Sequence, residues 1–361
     1  MSAALAIAGL FALTGALFLL PLIPAIVELR VKRDAQALNV IQQYAGDIRH
    51  FSFGFRSYAS DLLVRLEQCV ATGSTATGTL PHGDRYLLLG RPDADLLLPP
   101  GSTGRICDVV VAAGTDLTLP GGITFEKEMY ASRVLTGGEN CTYRAILGDD
   151  GIRLGRASKV IRWAHAAKSV HVDRDCDLYG RISSELEIEL QSGCFFQRLH
   201  APRIGFGSAA RNMNPNAAPR LDPSTETVSS SVAIGRRLVD SDLEISAGEV
   251  VTGSVVTRGG LRIGAGARIL GSVKSNRHMV VDSGVLVAGS LISASTMHIG
   301  ANCQIGGPVI AEQEMLIESG SRCGSFEKET TVSAPVIEVE EGVVAFGTIW
   351  ARHEGHVVAG R

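Results

Sequence analysis

The C-terminal part of the chain repeats one pattern of apolar positions every 18 residues. Leu243-x-Ile245-x-x-Gly248 returns as Leu261-x-Ile263-x-x-Gly266, Met279-x-Val281-x-x-Gly284, Met297-x-Ile299-x-x-Asn302 and Met315-x-Ile317-x-x-Gly320. Each copy continues through Val251, Ile269, Val287, Ile305 or Cys323, then Gly253, Gly271, Gly289 or Gly307, then Val255, Val273, Leu291 or Val309. A sixth copy, Ile337-x-Val339-x-x-Gly342, follows after four extra residues around Val332 to Pro335 and runs on through Ala345, Gly347 and Ile349. Apolar residues two apart share one face of a strand, so each copy predicts short strands with paired residues pointing inward. The Gly or Asn at the sixth place tolerates a left-handed backbone and predicts a corner. The second Gly column is open to two readings, a bend or a close approach of backbones. One turn cannot bury its apolar residues alone. Stacking at about 4.8 Å per turn aligns equal residues into ladders and pairs each backbone group with the turns above and below. The expectation is an all-β parallel solenoid with about 18-residue rungs. Ile263, Val281, Ile299 and Ile317 form one buried ladder, and Met279, Met297 and Met315 are core rather than a metal or cofactor box.

The same period runs more faintly upstream. Ile152, Val170 and Ile188 are 18 apart, as are Leu154, Val172 and Leu190, while Val160, Leu178 and Phe196 repeat the later apolar position. Ala157 and Asp175 take the corner place that Gly193 fills in the next copy, and Leu117-x-Leu119-x-x-Gly122 is a weaker relative. Gly207 to Ser231 breaks the pattern with a turn-rich polar stretch, Asn212-Met-Asn-Pro-Asn-Ala-Ala-Pro-Arg-Leu-Asp-Pro. Equal rung length on both sides favours a loop ejected from one continuous solenoid over a linker between two.

The N-terminus follows another rule. Ala3 to Val27 is uncharged over 25 residues, and a helix needs about 20 apolar residues to cross the hydrocarbon core. Pro21 and Pro24 are tolerable near its end. A cleaved signal peptide would have a basic flank before a shorter apolar run, and no Lys or Arg precedes this one. Arg30, Lys32 and Arg33 follow the run, which places the C-terminal side in the cytoplasm by the positive-inside rule. Asp34 to Gln43 reads as a short helix and Ser57 to Val70 as an amphipathic one stopped by Gly73. Phe51-Ser-Phe-Gly-Phe55 between them, beside Arg49 and Arg56, reads as a packing cluster, with lipid contact as the alternative. Thr72 to Thr79 reads as a Gly/Ser/Thr linker. The expected organisation is an anchor over 1–29, a juxtamembrane helical region and linker over 30–79, a degenerate array over 80–207, a polar loop over 208–231, a regular β-helix over 232–350 and a tail over 351–361.

Composition adds exclusions. Formal net charge is −3 with no basic stripe interleaved with aromatics, which argues against a nucleic-acid partner. Aromatics are only 5 % while Gly reaches 41 residues, which suits a thin repetitive β structure. The cysteines Cys69, Cys107, Cys141, Cys176, Cys194, Cys303 and Cys323 are odd in number and contain no CxxC, so a disulfide framework or zinc site is not expected. They read as small buried hydrophobes. Gly264-Ala-Gly266 lacks the third glycine of a dinucleotide fingerprint, and no Walker sequence occurs. The Asn140-Cys-Thr142 sequon is irrelevant in a cytosolic domain.

Two enzymatic readings compete with a structural role. In a left-handed hexapeptide acyltransferase, Ile263-Gly-Ala-Gly-Ala-Arg268 and the following Ile269 satisfy two hexads. The third begins at Ser275, Ser293 or Ala311, where that coil wants an aliphatic residue. Its general base would be a His, and the candidates His278 and His298 occupy different rung phases. In a polysaccharide-processing β-helix, Asp173, Asp175 and Asp177 could hold Ca²⁺, but a corner already explains Asp175. The expectation is no catalytic residue, no metal site and no cofactor.

The rungs Leu261-Arg-Ile-Gly-Ala-Gly-Ala-Arg-Ile-Leu-Gly-Ser-Val273 and Met279-Val-Val-Asp-Ser-Gly-Val-Leu-Val-Ala-Gly-Ser-Leu291 resemble the bactofilins, bacterial polymer-forming cytoskeletal proteins, over about 232–350. The resemblance implies a right-handed β-helix that stacks end to end without nucleotide. It also implies a non-enzymatic scaffold that localises cell-envelope or polysaccharide-synthesis proteins, here at the inner membrane with membrane lipid around residues 3–27. The transmembrane run and the upstream array depart from the family pattern. Large apolar residues in the last rung, Phe346, Ile349 and Trp350, lie near an end that only the short stretch Ala351 to Arg361 follows. They are the expected self-association surface, giving tail-to-tail dimers or small assemblies rather than long filaments.

Overall fold

A computed structural model describes residues 48–92, 105–212 and 237–360, together with Leu10, Leu13, Thr14 and Leu20. The chain divides into a unit over Met1–Asp47 and a unit over Ile48–Arg361. In the first, Thr14 Oγ1 donates to the Leu10 carbonyl at 2.8 Å, the back-bond of a helical turn. The expected spanning run Ala3 to Val27, its basic flank and the short helix from Asp34 lie, apart from those four residues, outside the described residues. Among the described residues no helix is long and apolar enough to cross a membrane.

The second unit is a parallel β-solenoid; the fold is all-β, with about 13 turns and few helices. Three ladders of inward residues run its length. One passes Phe125, Tyr143, Val160, Leu178 and Phe196, crosses to Gly355 and Ile337, and continues through Met315, Met297, Met279, Leu261 and Leu243. A second runs Leu117, Leu135, Ile152, Val170, Ile188, Ile204, Ala345, Cys323, Ile305, Val287, Ile269 and Val251. The third runs Met129, Ile146, Ala164, Ile182, Leu199, Ile349, Val332, Val309, Leu291, Val273 and Val255. The 18-residue register is therefore the hydrogen-bonding register. Ile263, Val281, Ile299 and Ile317 are all buried, as are the three methionines.

The corners lie where the pattern places them. Asn302 (φ 59°), Asp175 (φ 61°) and Ala157 (φ 56°) are left-handed without being glycine. The second glycine column is a close approach. A Cβ on Gly271 would lie 2.6 Å from the Gly253 carbonyl carbon, and one on Gly307 2.8 Å from that of Gly289. The serines that spoil the hexad pattern face inward: Ser275 and Ser293 are buried, and their hydroxyls donate to the carbonyls of Gly259 at 2.9 Å and Arg277 at 2.7 Å. A polar residue is tolerated there because the preceding turn supplies its acceptor.

Three expectations change. The presumed linker contains a strand, Thr75–Thr79, paired antiparallel with Arg85–Leu89. The presumed tail continues the last strand, Val344–Val358. The two arrays form one stack, but not by a loop ejected from a coil that keeps its direction. The strand Phe195–Phe206 of the first array pairs antiparallel with Val344–Val358 of the second, so the arrays meet with their C-terminal ends together. The chain leaves the junction after Phe206 and re-enters at the far end of the second array, at Arg237.

Two helices lie on one flank of the first array. The amphipathic segment forms α2 (Ser60–Thr72), ending on Gly73 at φ 61°. The phenylalanine cluster is itself a helix, α1 (His50–Tyr58). Leu62, Leu66 and Cys69 of α2 and Phe55 of α1 form an outer cluster with Leu88, Ala112, Tyr130, Leu147 and Trp163. This cluster is separate from the cluster inside the coil.

Candidate functional site

The expected self-association residues lie at the junction inside the chain. Phe346 and Ile349 are each 1 % exposed. Ile349 stands opposite Leu199, and Phe346 packs edge-on to Phe326, with ring centroids 4.9 Å apart, and beside Ala210. Trp350 keeps part of its surface, with the Arg198 guanidinium 5.1 Å from its ring centroid. His200 and Thr348 bridge the two strands at 3.0 Å. The edge expected to await a second copy is thus satisfied by the chain's own first array. Sequence alone could not show this, because both edges look unpaired until the arrays are placed together. Gly355 is what lets the core ladder pass through: a Cβ there would overlap the buried ring of Phe196.

The second array has another end. The strands Arg237–Val239, Leu243–Ile245 and Val250–Val251 each pair on one side only among the described residues. Inward positions lose their cover there. Leu243 and Val251 are partly buried, while their neighbours one turn on, Leu261 and Ile269, are 1 % and 0 % exposed. In the third ladder the end position is Arg237, where the next turn has buried Val255. Leu238 and Val250 leave large apolar surface on the same turn.

The residues weighed for chemistry do not converge. His298 Nε2 lies 2.7 Å from Glu318 Oε1 on an outer face, while His278 stacks beside Gly260 at a different phase. Asp175 pairs with Arg156 at 2.8 Å and Asp177 with Lys159 at 3.0 Å. Asp173 accepts the backbone N–H of Arg174 at 2.7 Å. Among the described residues no group of three or more His, Cys, Asp or Glu side chains could hold a metal ion. All seven cysteines are buried. Burial pushes the Cys303 thiol up to about 11 and Cys323 to about 12.

Two features escaped the sequence reading. Glu189 is buried beside His171 at 3.3 Å and accepts from Gln191 at 3.0 Å. Its strand register, Arg153–His171–Glu189, is spaced by 18 and was readable. The other is an arginine-lined cleft holding Arg162, Arg181, Arg198 and Arg352. Bulges shift its register, so spacing alone does not align it. No family model, curated protein or solved structure matches this chain.

Proposed function

We propose that the protein is a non-enzymatic scaffold, similar to the bactofilins, whose solenoid winds right-handed and is tethered to the bacterial inner membrane by the Ala3 to Val27 run. The solenoid faces the cytoplasm, associates with further copies of itself, and localises envelope or polysaccharide-synthesis proteins. One observation carries the reading: almost the whole described length forms a single stack, closed at an internal junction, with the Arg237–Val251 turn paired on one side only among the described residues. An open strand edge with partly uncovered ladder residues templates another edge. The occupant is the same turn of a second copy. The chain already joins two terminal turns antiparallel at its own junction, and a two-fold pair of copies would repeat that arrangement.

The test is sedimentation of the full chain in detergent, with and without Leu238→Lys and Val250→Lys together. Both side chains are exposed, so the folded stack should survive. Dimers in the parent and monomers in the variant, at equal unfolding midpoints, support the reading. A parent monomeric at tens of micromolar, or dimers indifferent to the two lysines, overturns it. A C-terminal reporter active only outside the inner membrane would overturn the topology.

A further inference from the structure

We propose that one flank of the first array, centred on the arginine-lined cleft, is a docking face for an anionic bilayer surface, where its guanidinium groups take phospholipid phosphates. The proposal rests on the membrane-tethered reading above, and its test is built to fail separately.

The face is made by bulges. On the strand Lys159–Ala166, Ile161 and Arg162 stand opposite a single residue of Thr142–Gly148. On Asp177–Ser184, Tyr179 and Gly180 stand opposite a single residue of Phe195–Phe206. Such bulges re-aim side chains away from the ladder. Gly180 is required, since a Cβ there would overlap the Arg162 carbonyl oxygen. The result is a cleft of about 490 Å³ that holds Arg162, Arg181, Arg198 and Arg352 and no carboxylate among its lining residues. Arg352 is partly neutralised by Glu312 at 3.3 Å. Arg162 and Arg181 form no ion pair with a carboxylate among the described residues. Burial holds the Arg198 guanidinium below its ordinary range, and the nearby Arg181 adds to the effect.

The aromatic groups decide what kind of anion fits. Arg181 lies 4.8 Å from the Phe51 ring centroid and Arg198 5.1 Å from that of Trp350. A guanidinium held against a ring presents its N–H edge outward, which suits phosphate oxygens. Those ring faces are already occupied, so they offer less for stacked nucleobases. Phe51, Ile161, Tyr179 and Trp350 are nonetheless 47 %, 45 %, 42 % and 43 % exposed. Half-exposed rings and an aliphatic group beside arginines are the pattern of a surface that rests at the headgroup level. The chain is net negative, at −3, so this local excess of arginine is segregated rather than general. An anionic leaflet carries the matching charge for a domain that follows shortly, along the chain, on the uncharged run ending at Val27.

The molecule supplies its own probe. It has two tryptophans, Trp163 and Trp350, and both line the cleft. The full chain is reconstituted into vesicles of phosphatidylcholine, with and without phosphatidylglycerol, carrying brominated acyl chains. Flotation reports attachment, and tryptophan quenching reports the cleft. The expected result is severalfold stronger quenching with the anionic lipid, lost in Arg162→Glu and weakened in Arg181→Gln, at unaltered circular dichroism. Alkali-resistant flotation in both lipids without a lipid-dependent change in quenching keeps the anchor and overturns the docking face. Flotation and quenching with anionic vesicles alone overturn the anchor and keep the face. Quenching equal in both lipids, or a fluorescence response to soluble inositol phosphates or single-stranded nucleic acid but not to anionic lipid, overturns the proposal.

Discussion

The two arrays share one coil and use it differently. The second array, Arg237 to Val358, keeps strict 18-residue spacing from Arg237 to Cys323. Its strands from Arg237–Val239 to Val309–Ala311 are two or three residues long, and its core ladders are Leu, Met, Val, Ile and small residues. The first array inserts extra residues at matched places on successive turns. It fills the inside with Phe125, Tyr143, Phe196 and Phe206, with Phe125 and Tyr143 stacked at 5.3 Å. It also carries helices on its flank. The difference teaches that a solenoid can spend its regularity. Equal turns make ladders that tolerate no change, whereas bulged turns keep the inward ladders and release the outer face for other side chains.

The largest expected effect is a charge placed in either ladder. Val281→Asp and Val170→Asp each bury an unpaired carboxylate, at a cost on the order of 4 kcal/mol. Thermal unfolding followed by circular dichroism checks both. A midpoint unmoved by Val281→Asp would show that the ladder assignment is wrong. Next comes the junction. Gly355→Val would force a side chain into the ring of Phe196, costing about 1–3 kcal/mol as overpacking. Calorimetry should then resolve two transitions where the parent shows one, because the arrays are coupled through that contact. A single transition in the variant would mean that the arrays do not depend on it.

Backbone changes should have opposite signs in the two arrays. Gly271→Ala in the second would press a methyl group onto the backbone of Gly253 and lower stability by roughly 1–3 kcal/mol. Ala157→Gly in the first removes a side chain from a left-handed corner and should raise stability by about 1 kcal/mol. Chemical denaturation reads both, and equal signs would break the contrast. The smallest effect is on reactivity. Cys303 and Cys323, with thiols pushed up to about 11 and about 12 by burial, should stay unlabelled by a thiol reagent at neutral pH until the second array unfolds. Prompt labelling would show that this array opens more readily than its regularity implies.

Much of the coil was legible along the chain. Spacing identified the ladders from Leu243 to Ile337 and from Ile152 to Phe196, together with the corners at Ala157, Asp175 and Asn302. It did so because strand side chains alternate and stacked turns put equal residues in contact, both of which are local facts about period. Turns without that period were legible only in part. Thr75–Thr79 reads as a linker from its composition, and becomes a strand because Arg85–Leu89 offers it an edge.

The sequence by itself determined a stacked coil, its inward residues and its left-handed corners. It also set the uncharged N-terminal run apart from the rest. Tertiary structure alone decided that the arrays meet C-terminal end to C-terminal end. That placement buried Phe346 and Ile349, and among the described residues it left the Arg237–Val251 turn paired on one side only. It also decided that Phe51, Arg162, Arg181 and Trp350, far apart in the chain, share one cleft. The physical reason is that strand edges carry no sequence code for their partner. Any edge can hydrogen-bond with any other, and the choice is made by which surfaces the whole chain can bring together and bury.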